Sequence, residues 1–176
     1  MDFFEAVEKR GSYRGTFLDR EVPEADIRKI LTAGLRAPSG YNYQTTSFVV
    51  VRESETREKL SALMPTPATK SAPAILVAVS ERKVNEAVGA AHFAFDTEDY
   101  AAAVENIMLA ITAMGYAGVW MDGMSRMEGR AEQIAALLNV PEGKTVRTII
   151  PFGIPEKEVT QRKKKPFDER VVWEHF

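Results

Sequence analysis

Three short runs dense in β-branched residues are SFVVV at 47–51, AILVAVS at 74–80 and VRTIIPFG at 146–153. They alternate along the chain with segments whose apolar residues recur at helical spacing. This interleaving points to an α+β chain, in which helices cover a sheet built from buried strands. Phe3, Phe4 and Val7 stripe a short first helix that Asp2 is expected to cap and Gly11 to end. After Pro23, the positions Ile27, Ile30, Leu31 and Leu35 predict a second helix, stopped by Pro38 and Gly40. Ser54 is expected to cap a helix carrying Leu60 and Leu63. Asp96 opens the longest helix, which ends at Gly115. Its residues Ala101, Val104, Ile107, Met108, Ala110 and Ile111 are apolar nearly all round, which predicts a central helix buried on more than one side. Residues 115–121 read as a strand or extended segment and 130–138 as a helix, whereas 81–95 show no deciding periodicity.

A chain of 176 residues is expected to form one domain, residues 1–176, with a core large enough to stand alone. Cysteine is absent, which rules out a disulfide framework, a thiolate metal site, an iron–sulfur cluster and a cysteine nucleophile. His92 and His175 cannot supply a three-histidine site, so no metal is expected, and demanding chemistry would rest on a borrowed cofactor. Twenty-three basic and 25 acidic side chains, interleaved to a net charge of −2, give no field for nucleic acid. No apolar stretch reaches the roughly 18 residues of a membrane span, and the first ten residues lack a signal-peptide pattern. The expectation is a cytoplasmic protein. The tail, about 154–176, is charged and proline-punctuated yet closes with Val171, Val172, Trp173 and Phe176, which reads as an arm covering a second subunit.

Two familiar signatures fail. PEGKT at 141–145 imitates the end of a phosphate-binding loop, but the earlier glycine that the pattern requires is Leu138. Ser39 in APSGY does not sit in a G-x-S-x-G elbow. The methionines at 108, 114, 121, 124 and 127 read as core fillers. Four other segments carry more. RGSYR at 10–14 alternates two guanidinium forks around a hydroxyl, a good anion clamp. RAPSGYNYQ at 36–44 gathers Pro38, Ser39, Gly40 and Asn42 in a loop able to meet a planar heterocycle. GVWMDG at 118–123 offers backbone N–H groups beside an indole, and Arg162 to Lys165 form a basic run before Pro166. Each segment alone is more often a solvated loop or turn.

In this order the four segments resemble the FMN-dependent nitroreductase family over nearly the whole chain. The family's R-x-S-x-R is present as Arg10, Ser12 and Arg14, and its A-P-S-x-x-N-x-Q as Ala37, Pro38, Ser39, Asn42 and Gln44. Met114-Gly115-Tyr116 resembles the end of the family's central dimer-interface helix, and PFGIP at 151–155 its late G-x-P signature. The resemblance implies a central mixed, mostly antiparallel sheet flanked by helices, with the C-terminal arm reaching the partner subunit of a homodimer whose active sites lie at the interface. It further implies that Arg10, Ser12, Arg14, Arg162 and Lys164 hold the FMN phosphate and ribityl chain. Pro38, Ser39 and the Asn42 amide would border the flavin. Trp120, Met121, Asp122 and Gly123 would cover its other face, with the Asp122 N–H directed at N5.

On the same resemblance, NADH or NADPH reduces the flavin, which passes hydride from N5 to a small electron-poor acceptor such as a nitroaromatic or quinone. No catalytic side chain is then required. This chain departs from the family pattern at Thr45-Thr46, where Pro-Trp is usual, at an additional residue before Phe17, at Trp120, where proline is common, and at Lys164, where arginine is frequent. The departures at Thr45-Thr46 and Trp120 motivate one alternative, a flavin-binding storage or sensor protein with little turnover; specialised reductive chemistry on the same fold is another, for which no substrate-zwitterion motif is present.

Overall fold

The computed structural model describes residues 1–84 and 94–176. Of the segment left open by its sequence, residues 85–93, His92 among them, lie outside the described residues. Helix α1 (Phe3–Lys9) begins at a capping box in which the Asp2 carboxylate accepts from the Glu5 N–H and the Glu5 side chain accepts from the Asp2 N–H. It buries only Ala6. The Phe3, Phe4 and Val7 stripe faces outward, with Phe3 64% and Phe4 75% exposed. Helix α2 (Glu24–Leu35) buries Ile27, Ile30 and Gly34, while Leu35, expected in its apolar stripe, is exposed.

Strands β1 (Thr46–Val51), β2 (Ala74–Glu81), β3 (Ala117–Gly118) and β4 (Lys144–Gly153) form one sheet in the order β1-β2-β4-β3. All three strand pairs are antiparallel, and the parallel element is a single bridge between Ser12 and Gly118. The long β2 and β4 take the centre because their residues are apolar on both faces. Between β1 and β2 lie α3 (Ser54–Leu63) and α4 (Pro67–Ser71). Ser54 is the first residue of α3 rather than its cap, and its Oγ donates to Glu58 within the helix. Helix α4 escapes a pattern search because it is one turn long, held by a Thr66/Thr69 capping box.

The central α5 (Asp96–Ala113) packs on one face of the sheet with α2, enclosing Ile30, Leu76, Val104, Ile107, Ile111 and Phe152. Contact with α2 is close at Gly34, where a Cβ would lie 2.7 Å from Ile107 Cγ1. Gly115, at φ +82°, ends this helix as its sequence predicts. The opposite sheet face packs Leu60, Met64, Val77 and Ile149 against Ile134 of α6 (Arg130–Leu137). Within one chain α5 is thus buried along one broad stripe. Ala101, Ala102, Leu109 and Ala110 are only half-buried, so the remaining apolar surface is incompletely covered.

Candidate cofactor site

The 10–14 segment is placed by hydrogen bonds on both sides. The Tyr13 N–H donates to Gly118 O at 2.9 Å, while Gln161 Nε2 donates to both Val7 O and Arg10 O at 2.9 Å. Gly11 lets the tail cross closely, since a Cβ there would stand 2.8 Å from Val159 Cγ1. These contacts bring Arg10, Ser12 and Arg14 to one edge of the sheet, with Arg162 adjoining the pinned Gln161. Ser12, Arg14, Arg162 and Lys164 are exposed. Arg10 is less free: its Nε lies 3.4 Å from Glu105 Oε1 of α5 and makes no hydrogen bond although buried.

Segment 118–123 continues along β4 beyond the two-residue β3. The N–H groups of Val119 and Met121 donate to Pro151 O and Ile149 O, at 3.3 and 3.0 Å. Alternation along an extended chain therefore turns the N–H groups of Trp120 and Asp122 outward, to the edge along which residues 10–14 run. Neither donates to an acceptor among the described residues. Trp120 packs against Tyr100 in an edge contact, and its buried Nε1 has no hydrogen-bond partner. At Gly123, a Cβ would meet nothing within 4 Å. The outward N–H edge and the neighbouring cations are donors of the kind that an anion or a planar heterocycle accepts from, and the buried Trp120 Nε1 and Arg10 Nε beside them lack hydrogen bonds.

The 36–44 loop is built separately. Asp99 of α5, 5% exposed, accepts from the Gly40 N–H at 2.8 Å and from Thr45 Oγ1 at 2.7 Å. Ser39 Oγ accepts from the Gln44 N–H, and Ser39 O from the Asn42 N–H. So fixed, the loop holds Tyr41, Asn42 and Gln44 at φ of +50°, +56° and +49°. Three non-glycine residues in the left-handed region within four positions are conformationally expensive. Gly40 is dictated by contact, because a Cβ would fall 2.4 Å from Phe95 Cδ2. Pro38, Ser39, Gln44 and Thr46 line a cavity of about 210 Å³ against Asp99 and Ala103.

Within one chain the predicted residues meet α5 at three points: the 36–44 loop at Asp99, the Trp120–Asp122 segment at the neighbouring Tyr100, and Arg10 at Glu105. Asp99 and Glu105 are six residues apart, ~9 Å along the helix and on different faces. A cleft of about 520 Å³ between α2 and β1 includes none of the predicted residues. Sequence reasoning gave no site role to Asp99, Thr45, Tyr100, Glu105, Arg126 or Gln161. Thr45 stood out only as a departure from the family pattern, and Asp99 and Glu105 as charges at the start and within the apolar run of the longest helix.

A sequence model of the Nitroreductase family matches residues 7–66 and 62–154. The chain belongs to the nitroreductase family. A relative from Methanothermobacter thermautotrophicus, named for NADH dehydrogenase and NAD(P)H nitroreductase, is 35% identical over 156 residues, spanning 88% of this chain and 78% of its own. Among solved structures, an FMN-dependent nitroreductase from Clostridium difficile superposes with a TM-score of 0.82 at 26% identity, covering 98% of this chain and 99% of its own. A Desulfovibrio desulfuricans structure in complex with FMN reaches 0.83 at 26% identity, covering 100% and 98%. The nitroreductase fold expected from the sequence is therefore the fold observed.

Proposed function

We propose that this nitroreductase-family chain is an NAD(P)H-dependent flavin oxidoreductase, active as a homodimer of single nitroreductase-like domains. The observation that carries the reading is the outward N–H edge of Trp120 and Asp122 beside the Arg10, Ser12 and Arg14 segment. It offers donors to the electron-accepting side of a flavin within reach of cations for its phosphate. Bound FMN would supply the redox chemistry, taking hydride at N5 from NADH or NADPH and passing it, in ping-pong order, to an electron-poor acceptor such as a nitroaromatic or quinone.

The protein's own work is binding and orientation. Arg10, Arg14, Arg162 and Lys164 would hold the phosphate, arginine by its fork and lysine as a point charge, while Ser12 would bind a phosphate or ribityl oxygen. The Asp122 N–H would donate toward N5, with Trp120, Met121 and Gly123 bordering the ring. Pro38, Ser39 and the Asn42 amide would complete the site from the other subunit. The attachment of Arg10 to Glu105 and of the 36–44 loop to Asp99, on different faces of α5, supports this division.

Three apolar surfaces support the dimer. Phe3 of α1 is exposed next to Leu109, Ala110 and Ala113 of α5, Phe4 is exposed too, and the tail exposes Phe167 (62%), Trp173 (77%) and Phe176. Unpartnered apolar area of this kind marks an interaction surface. Steady-state oxidation of NADH and NADPH against a panel of nitroaromatics and quinones tests the reading. Acceptor-dependent turnover supports the oxidoreductase, whereas tight FMN binding with no such rate would favour storage or sensing.

A further inference from the structure

Asp122 brings a carboxylate into the segment whose backbone N–H is read above as a donor to the flavin. Left alone, that charge would oppose negative charge gathering at the same N–H. The carboxylate is not left alone. Arg126 Nη2 donates to its Oδ2 at 2.7 Å, and Arg126 Nε donates to Oδ1, a two-bonded fork. Tyr100 OH donates to Oδ2 at 3.2 Å and is itself reached by Arg126 Nη2 at 3.2 Å.

Arg126 lies at the surface, its side chain 60% exposed, and Asp122 is half-buried, but the Tyr100 that meets both is rooted in the core. Tyr100 is 2% exposed, and burial first, then the Asp122 carboxylate, push its phenol above the ordinary tyrosine range, keeping it a neutral donor. Arg147 lies over the Tyr100 ring, 5.6 Å from its centre, and is anchored to Ser80 and Asp96. Ser125 Oγ lies 2.6 Å from Asp122 O and 3.0 Å from Arg147 O, so its one proton is shared between these carbonyls and holds the turn that follows Asp122. Arg126 and Asp122 are themselves an exposed i,i+4 ion pair, a contact that fixes little alone, and the buried Tyr100 hydroxyl is what ties it to the core.

We propose that Arg126 and Tyr100 are positioning residues that fix the Asp122 peptide and cancel its carboxylate, so that the outward N–H edge presents a net positive potential to FMN. This inference rests on the flavin reading of the site. Its test uses the full-length, FMN-loaded protein, equilibrated anaerobically with a reference dye and without NAD(P)H. Arg126→Gln leaves the carboxylate unpaired, and the reduced-to-oxidised flavin ratio at a fixed poise should fall about two- to fivefold, the size expected for a solvent-screened charge. Adding Asp122→Asn to that variant should return the ratio to near wild type. Asp122→Asn alone, which leaves Arg126 unpaired, should move it the opposite way. An unchanged ratio in Arg126→Gln, or an equal fall in the single and double variants, would overturn the proposal, as would lowered melting temperatures without charge-dependent recovery. Should Arg126→Gln fail to fold, Asp122→Asn alone decides by the sign of its shift. Failure of the flavin reading looks different, because wild type itself would then leave FMN fluorescence unquenched.

Discussion

At the residue scale, the candidate site separates side chains that await a ligand from side chains already engaged. Arg14 belongs to the first kind: it is exposed, and its one hydrogen bond is a long 3.4 Å contact from Nη1 to Ser12 O. Arg14→Ala should therefore weaken FMN binding about tenfold by fluorescence titration, with the melting temperature unchanged. Tyr116 belongs to the second. Its OH donates to Asp26 Oδ2 at 2.7 Å, tying the end of α5 to α2. Burial, then that bond and the carboxylate's charge, push the phenol up to about 12. A folded pKa raised in this way contributes stability that is complete below ~10, where an unfolded tyrosine ionises, and is lost as pH climbs through about 12. Tyr116→Phe should lower the unfolding free energy by about 1 kcal/mol at neutral pH. Denaturant titrations should show its difference from wild type closing between those two values.

At the element scale, α5 organises the molecule, meeting the sheet, α2, the 36–44 loop and the 10–14 segment through different faces. Its approach to α2 depends on Gly34. Gly34→Ala should cost about 1–3 kcal/mol by overpacking against Ile107, read as a shifted denaturation midpoint. Much of this scale was legible in the sequence. The β-branched runs gave β1, β2 and β4 nearly to their ends, and helical spacing located α2, α5 and α6, because these patterns record burial directly. What was not legible came from tertiary approach. The 115–121 segment forms a continuous ladder only at Ala117–Gly118 and returns to β4 through a single bridge from Met121 to Ile149. Asp122 was placed from its backbone, but nothing in its neighbourhood announces Tyr100, 22 positions earlier, as its partner. The Phe3 and Phe4 stripe was visible as apolar, and only the fold reveals that its own chain leaves it uncovered.

At the scale of the whole molecule, the chain leaves apolar surfaces uncovered on α1, α5 and the tail, and the proposed site draws on two subunits. Sedimentation at micromolar concentration should give a dimer, and removal of residues 167–176 should shift it toward monomer and loosen FMN binding with it. A monomeric full-length chain would contradict a site shared between subunits. The most direct test of the central claim is anaerobic titration of purified protein, first with FMN and then with NADH or NADPH. The account expects one FMN bound per chain with its fluorescence quenched, and bleaching of the yellow complex by one equivalent of reductant per flavin. Protein that leaves FMN fluorescence unchanged, or a bound flavin that neither nicotinamide bleaches, would contradict it.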